Sequence, residues 1–143
     1  MQEEKDFLFF KKVNYNGILY NGDMGKAVMI CTPSYVFLIG YENFQVLNHW
    51  GKSKGTDEIR WKFHAVDVVF SDFDSVADLE NYLKGVLSED NVFEINALDK
   101  FSVQAGWLFF GGLTFRKAQR KKIVINLQPK KNRIKMREFY SLS

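Results

Sequence analysis

Thiols and imidazoles are the side chains best suited to attack a carbonyl, and this chain holds few: one cysteine, Cys31, and two histidines, His49 and His64. Cys31 lies inside the apolar run Ala27–Thr32, where cysteine behaves as a small buried hydrophobe. A reactive thiolate needs a basic, partly exposed setting. His64 falls on the polar side of an alternating run, and no third group completes a Cys31–His64 pair. The G-x-S-x-G elbow of serine hydrolases is missing. Gly51-Lys52-Ser53 imitates the end of a phosphate-binding loop, but Val46 stands where that loop requires its first glycine. Asp72, Asp74 and Asp78 suggest a calcium loop until its spacing is checked. Ala77 occupies the sharp-turn position and Leu83 the position of the bidentate carboxylate. Carboxylates ahead of a helix meet the positive end of its dipole, and capping is the simpler role here. The residues therefore support no catalytic, cofactor-binding or metal-ligating assignment.

The basic residues are the one concentrated chemical feature. Between Phe115 and Arg137 lie ten of the 20 lysines and arginines and no acidic residue, which leaves ten basic and 17 acidic side chains elsewhere, a net charge of −7. The whole chain carries only +3. Such asymmetry points to an anionic partner unless folding interleaves the two populations. Arg116, Lys117, Arg120, Lys121 and Lys122 crowd one polar turn, while Lys130, Arg133 and Arg137 follow helical spacing i, i+3, i+7 and would share one stripe. These eight residues are the candidate partner-binding set. They suit an acidic protein surface or anionic lipid head groups, and less well a nucleic acid. Phe115 could stack a base only if it faced outward, and alternation turns it toward the core.

The elements that must position these residues are mostly strands. Phe7–Val13, Ala27–Thr32 and Tyr35–Tyr41 are aromatic or β-branched runs, with turn signals at Asn16-Gly17, Asn21–Gly25 and Pro33-Ser34. The second and third are apolar on successive residues, as strands buried on both faces are. Ile18–Tyr20 reads as a brief strand and residues 51–56 as a polar loop. Ile59, Trp61, Phe63 and Ala65 alternate with Glu58, Arg60, Lys62 and His64, and Val66–Phe70 extends that strand. The period then changes. Ser75 to Asp78 has the form of a capping box, and Val76, Leu79, Leu83, Val86 and Leu87 share a helical face. A final meander follows: Phe101–Phe109, a Gly111-Gly112 loop, Leu113–Lys117, then Ile123–Leu127. Pro129 opens a last helix that reaches about Tyr140 and turns Met136, Phe139 and Tyr140 to the sheet.

At 143 residues, 46% of them hydrophobic, the chain fits one domain with its own core. A lone cysteine excludes an internal disulfide framework, the acidic start Met1–Asp6 is unlike a secretory leader, and no apolar run approaches a membrane span. The cytoplasm is the expected compartment. The expected fold class is mainly β (α+β): a bent antiparallel sheet or partly open barrel, with a helix inserted near 75–87 and a C-terminal capping helix near 129–140.

This order of elements, with Gly25–Leu38 as an early hairpin, resembles the pleckstrin-homology-like superfold in its bacterial and GRAM-like forms, across residues 1–143. The resemblance implies a binding or scaffold module and no cofactor. Lys11, Lys12 and Lys26 are the only basic residues from Phe7 to Tyr41, where classical members carry an R-x-R-like step; Phe139 and Tyr140 stand in the region of their helix tryptophan. The resemblance thus implies the fold without implying phosphoinositide binding. The functional expectation is a non-catalytic module recognising an acidic partner through the basic C-terminal end. A nucleic-acid-binding accessory protein and a small enzyme are the alternatives.

Overall fold

The computed structural model describes residues 1–16, 25–40, 44–46, 60–63, 66–104 and 111–141. Strand β1 (Leu8–Asn16) already shows how the sequence sets the architecture. Leu8, Phe10, Val13 and Tyr15 are buried, so strict alternation breaks at the exposed pair Lys11-Lys12. Against β2 (Gly25–Cys31), Phe10 pairs with Met29 and Val13 with Ala27, which leaves one extra residue on β1. That β-bulge restores the inward register after two consecutive lysines and bends the strand.

β2 and β3 (Tyr35–Gly40) are buried on both faces, as their continuous apolar runs require. Ala27, Met29, Cys31, Val36 and Leu38 join one core cluster; Val28, Ile30, Phe37 and Ile39 join the other. The second cluster is covered by helix α1 (Val76–Val86) through Leu79 and Leu83, with Leu87 just beyond. Ser75 caps that helix as expected, its hydroxyl accepting from the Asp78 amide at 3.2 Å.

β7 (Val92–Glu94), β8 (Lys100–Gln104), β9 (Gly112–Arg116) and β10 (Ile123–Asn126) complete a seven-stranded antiparallel sheet of order β7-β3-β2-β1-β10-β9-β8. β7 and β8 are consecutive in the chain yet form opposite edges. A flat sheet would hold those edges about 29 Å apart, at roughly 4.8 Å per strand. The steps from Glu94 to Lys100 reach only about 20 Å even when extended, and Ile95–Ala97 is a tight 3-10 turn. The sheet must therefore curl. Phe93 on β7 and Phe115 on β9 meet at 4.7 Å between ring centroids. The first core cluster lies inside the curl, and helix α2 (Lys130–Ser141) packs on it with Met136, Phe139 and Tyr140.

Thr32, at the end of the β2–β3 hairpin, ties both helices to the sheet. Its hydroxyl accepts from the Tyr35 amide at 3.0 Å and donates to the Glu80 carboxylate of α1, while its carbonyl accepts from the Tyr140 hydroxyl of α2 at 3.0 Å.

The expected fold class holds: strands dominate, in a bent antiparallel sheet with an inserted helix and a C-terminal one. Two local expectations are corrected. Val66–Phe70 does not extend the preceding strand. β6 (Val66–Val69) runs back along β5 (Arg60–Phe63), pairing Val66 with Phe63, and with β4 (Phe44–Val46) they make a separate three-stranded sheet. The sequence marks the reversal only as a change of phase: Ala65 and Val66 are consecutive apolar residues and Asp67 falls where the earlier alternation requires an apolar one, a pattern that a bulge within one strand would also give. Gly112 is not a loop residue either; it begins β9, paired with Gln104 and Asn126. Ile18–Tyr20, the loop at 51–56, His49, His64, Ala105, Trp107 and Phe109 lie outside the described residues.

Candidate functional site

The turn joining β9 to β10 is tightened by a hydrogen bond from the Arg120 amide to the Lys117 carbonyl, 3.1 Å, with Gln119 in the left-handed region at φ 61°. This geometry brings Lys117, Arg120 and Lys121 around a cleft of about 290 Å³ whose floor is Phe93 and Ile123 and whose rim includes Asp90. The site thus lies between the edge strand β7, with the turn that precedes it, and the β9–β10 turn. The Asp90 side is supplied by a 3-10 turn, Glu89–Asn91, that precedes β7. Asn91 pins that turn by donating from its buried amide to the Leu38 carbonyl at 2.8 Å.

Lys117 is half-buried and lies over the Phe93 ring, 4.8 Å from its centre, while its ammonium donates to the Glu89 carbonyl at 2.7 Å. Burial lowers its pKa, Asp90 and Glu89 pull the other way, and Arg120 adds to the lowering. Arg120 meets Asp90 at 3.7 Å with both side chains mostly exposed. Such a pair is worth less than about 1 kcal/mol, so a ligand can displace it. A second open cleft of about 520 Å³ shares Asp90, Lys117 and Arg120 and continues past Glu89 and Glu94 to Lys84.

The eight residues singled out in the sequence do not form one surface. Lys117, Arg120 and Lys121 line the cleft. Lys122 is exposed beside them, and Arg116 is paired with Asp99 at 3.5 Å. Lys130 and Arg137 are exposed on α2, and Lys130 follows the far end of β10 from the turn. Arg133 is a correction. It is fully buried, its guanidinium donating to the Leu127 carbonyl at 2.8 Å. The spacing that groups it with Lys130 and Arg137 also places it with Met136 and Tyr140, whose face the core claims. Folding does interleave part of the basic segment with acids: Arg116, Arg120 and Lys135 meet Asp99, Asp90 and Glu4. Lys121, Lys122, Lys130, Lys131 and Arg137 have no ion pair among the described residues. The sequence reading missed Asp90, Phe93, Gln119 and Ile123 as lining residues. Asp90 and Phe93 are some 25 positions from the turn and carry no local signal for meeting it.

Cys31 is fully buried and free, next to the Tyr140 phenol, and burial pushes its thiol up to about 12. The same burial raises the Tyr140 hydroxyl, with Cys31 and Glu80 adding to it. A thiol-specific reagent at neutral pH should therefore label native Cys31 at least about 100-fold more slowly than the urea-unfolded chain, since the thiolate fraction and access both fall. Rapid labelling of the folded protein, followed by mass spectrometry, would return Cys31 to the candidate nucleophiles. Among the described residues no group of three or more His, Cys, Asp or Glu side chains is arranged to hold a metal ion, and no helix is long and apolar enough to cross a membrane. Comparison with protein-family models, curated proteins and solved structures finds no match to this chain.

Proposed function

We propose that the chain is a non-catalytic, cytoplasmic binding module of pleckstrin-homology-like build that recognises an acidic partner through its β9–β10 turn. The convergence of Lys117, Arg120 and Lys121 on one cleft with an apolar floor carries this reading. Three cations held within a short turn supply charge-assisted hydrogen bonds at little ordering cost, because the turn is already closed by its own backbone bond. The curled sheet closed by α2 supports the family likeness, and the buried Cys31, with its raised thiol pKa, gives no support to thiol catalysis.

The test reverses charge at the turn. Arg120→Glu/Lys121→Glu changes two exposed side chains and should leave the circular dichroism spectrum unchanged, since exposed substitutions seldom move stability by more than about 0.5 kcal/mol. Binding to the labelled peptide Glu-Glu-Gly-Ser-Lys, measured by fluorescence polarisation, should fall at least about tenfold, and wild-type binding should weaken between low and high salt. Lys130→Glu should bind as the wild type does. Unchanged binding by the folded double variant would refute the turn as the binding surface.

A further inference from the structure

We infer that the partner is an acidic protein segment that carries a large apolar side chain next to its carboxylates. This rests on the reading of the β9–β10 turn as the binding surface and deepens it. The cleft has its cations at the rim and Phe93 and Ile123 beneath them. A ligand that fills it must place negative charge and apolar surface within one side chain's reach of each other, as a Glu or Asp beside a Phe or Leu does.

The neighbouring acids make the surface unsuited to a uniformly anionic partner. Asp90 stands on the same rim, and the adjoining cleft runs past Glu89 and Glu94 before reaching Lys84. A phosphate backbone or an anionic bilayer presents negative charge continuously, so contact with Lys117, Arg120 and Lys121 would bring it against these carboxylates as well. A peptide can vary its charge residue by residue. It can set a carboxylate on Arg120 and Lys121 and a cation toward Glu89 and Glu94. Two further observations agree. Met1 is the only exposed large hydrophobic residue among the described ones, so none of the described residues beside the turn projects an apolar side chain to enter a bilayer. Phe115, the aromatic residue of β9 beside the turn, is fully buried and offers no open ring face on which bases could stack.

The apolar floor is part of the core, so the ligand rather than the protein is varied in the test. Four fluorescent probes are titrated against the wild-type chain and against Arg120→Glu/Lys121→Glu: the peptide Glu-Glu-Phe-Ser-Lys, its counterpart Glu-Glu-Ala-Ser-Lys, phosphatidylserine vesicles and oligothymidylate. The phenylalanine peptide should bind the wild type about tenfold tighter than the alanine peptide, the gain expected from burying most of one aromatic side chain. Both peptides should lose affinity for the double variant. Equal affinity of the two peptides would overturn the apolar anchor while leaving the acidic-partner reading intact. Tighter binding of vesicles or oligothymidylate than of either peptide would overturn the choice of a protein segment. Failure of all four probes to bind the wild type would overturn the underlying reading itself.

Discussion

Arg133→Glu is expected to cost about 3–5 kcal/mol, the range for leaving a buried charge without a compensating partner. The wild-type guanidinium is fully buried and donates to the Leu127 carbonyl at 2.8 Å, just where β10 gives way to α2. A carboxylate there would face that carbonyl oxygen with no proton to offer, in a space shaped for a longer side chain. Against a total stability of about 5–15 kcal/mol, the loss would leave the variant partly unfolded near room temperature. Arg133→Met separates charge from packing. It keeps a long unbranched side chain and removes the guanidinium together with its bond to the Leu127 carbonyl, so its cost should be about 1–3 kcal/mol. Urea denaturation followed by tryptophan fluorescence orders the three proteins. A glutamate variant as stable as the wild type would mean that Arg133 reaches solvent and belongs with Lys130 and Arg137 after all.

Gly112→Ala should destabilise the chain by about 4 kcal/mol, from two sources that act together. Gly112 has φ +146°, which L side chains rarely adopt, and a Cβ placed on it would lie 2.1 Å from the Ile125 carbonyl oxygen. The backbone strain alone is worth about 1–3 kcal/mol. The clash adds a similar amount, because the obstructing atom is main chain in the β9–β10 ladder and cannot rotate away. Gly85→Ala is the matched control: no atom lies within 4 Å of its added Cβ, and it sits in α1. Alanine there should stabilise by up to about 1 kcal/mol, the helix-propensity difference. If thermal unfolding showed the two substitutions to be equivalent, the close approach of β9 to β10 would be wrong.

Wherever a residue's fate depended on its neighbours in sequence, the sequence was legible. Ser75 announces α1, and Leu79, Leu83 and Leu87 are the face it buries, because helical period and capping are local. Ala27–Cys31 and Val36–Ile39 are apolar at every position, and both of their faces are covered. Pro129 marks the start of α2, and Met136, Phe139 and Tyr140 mark its inner face. Arg133 was legible too, in principle. It stands at i, i+3 and i+7 with Met136 and Tyr140, but its charge drew it to the lysines instead.

Other features depended on residues far apart in the chain. β6 folds back on β5, where the sequence shows only a change of phase at Ala65-Val66 that a bulge in one long strand would also give. β7 and β8, neighbours in sequence, end on opposite edges of one sheet. Nothing near Lys117 indicates that Glu89, Asp90 and Phe93 will lie against it. Local pattern was enough for the element types, most of their buried faces and a basic segment with no acid inside it. How that segment is divided was settled by long-range contacts. Part is paired with distant carboxylates, Arg133 is drawn into the core, and three residues are gathered over an apolar floor. The reason is that side-chain periodicity reports which way a residue points within its own element, whereas curling of the sheet decides what it meets there.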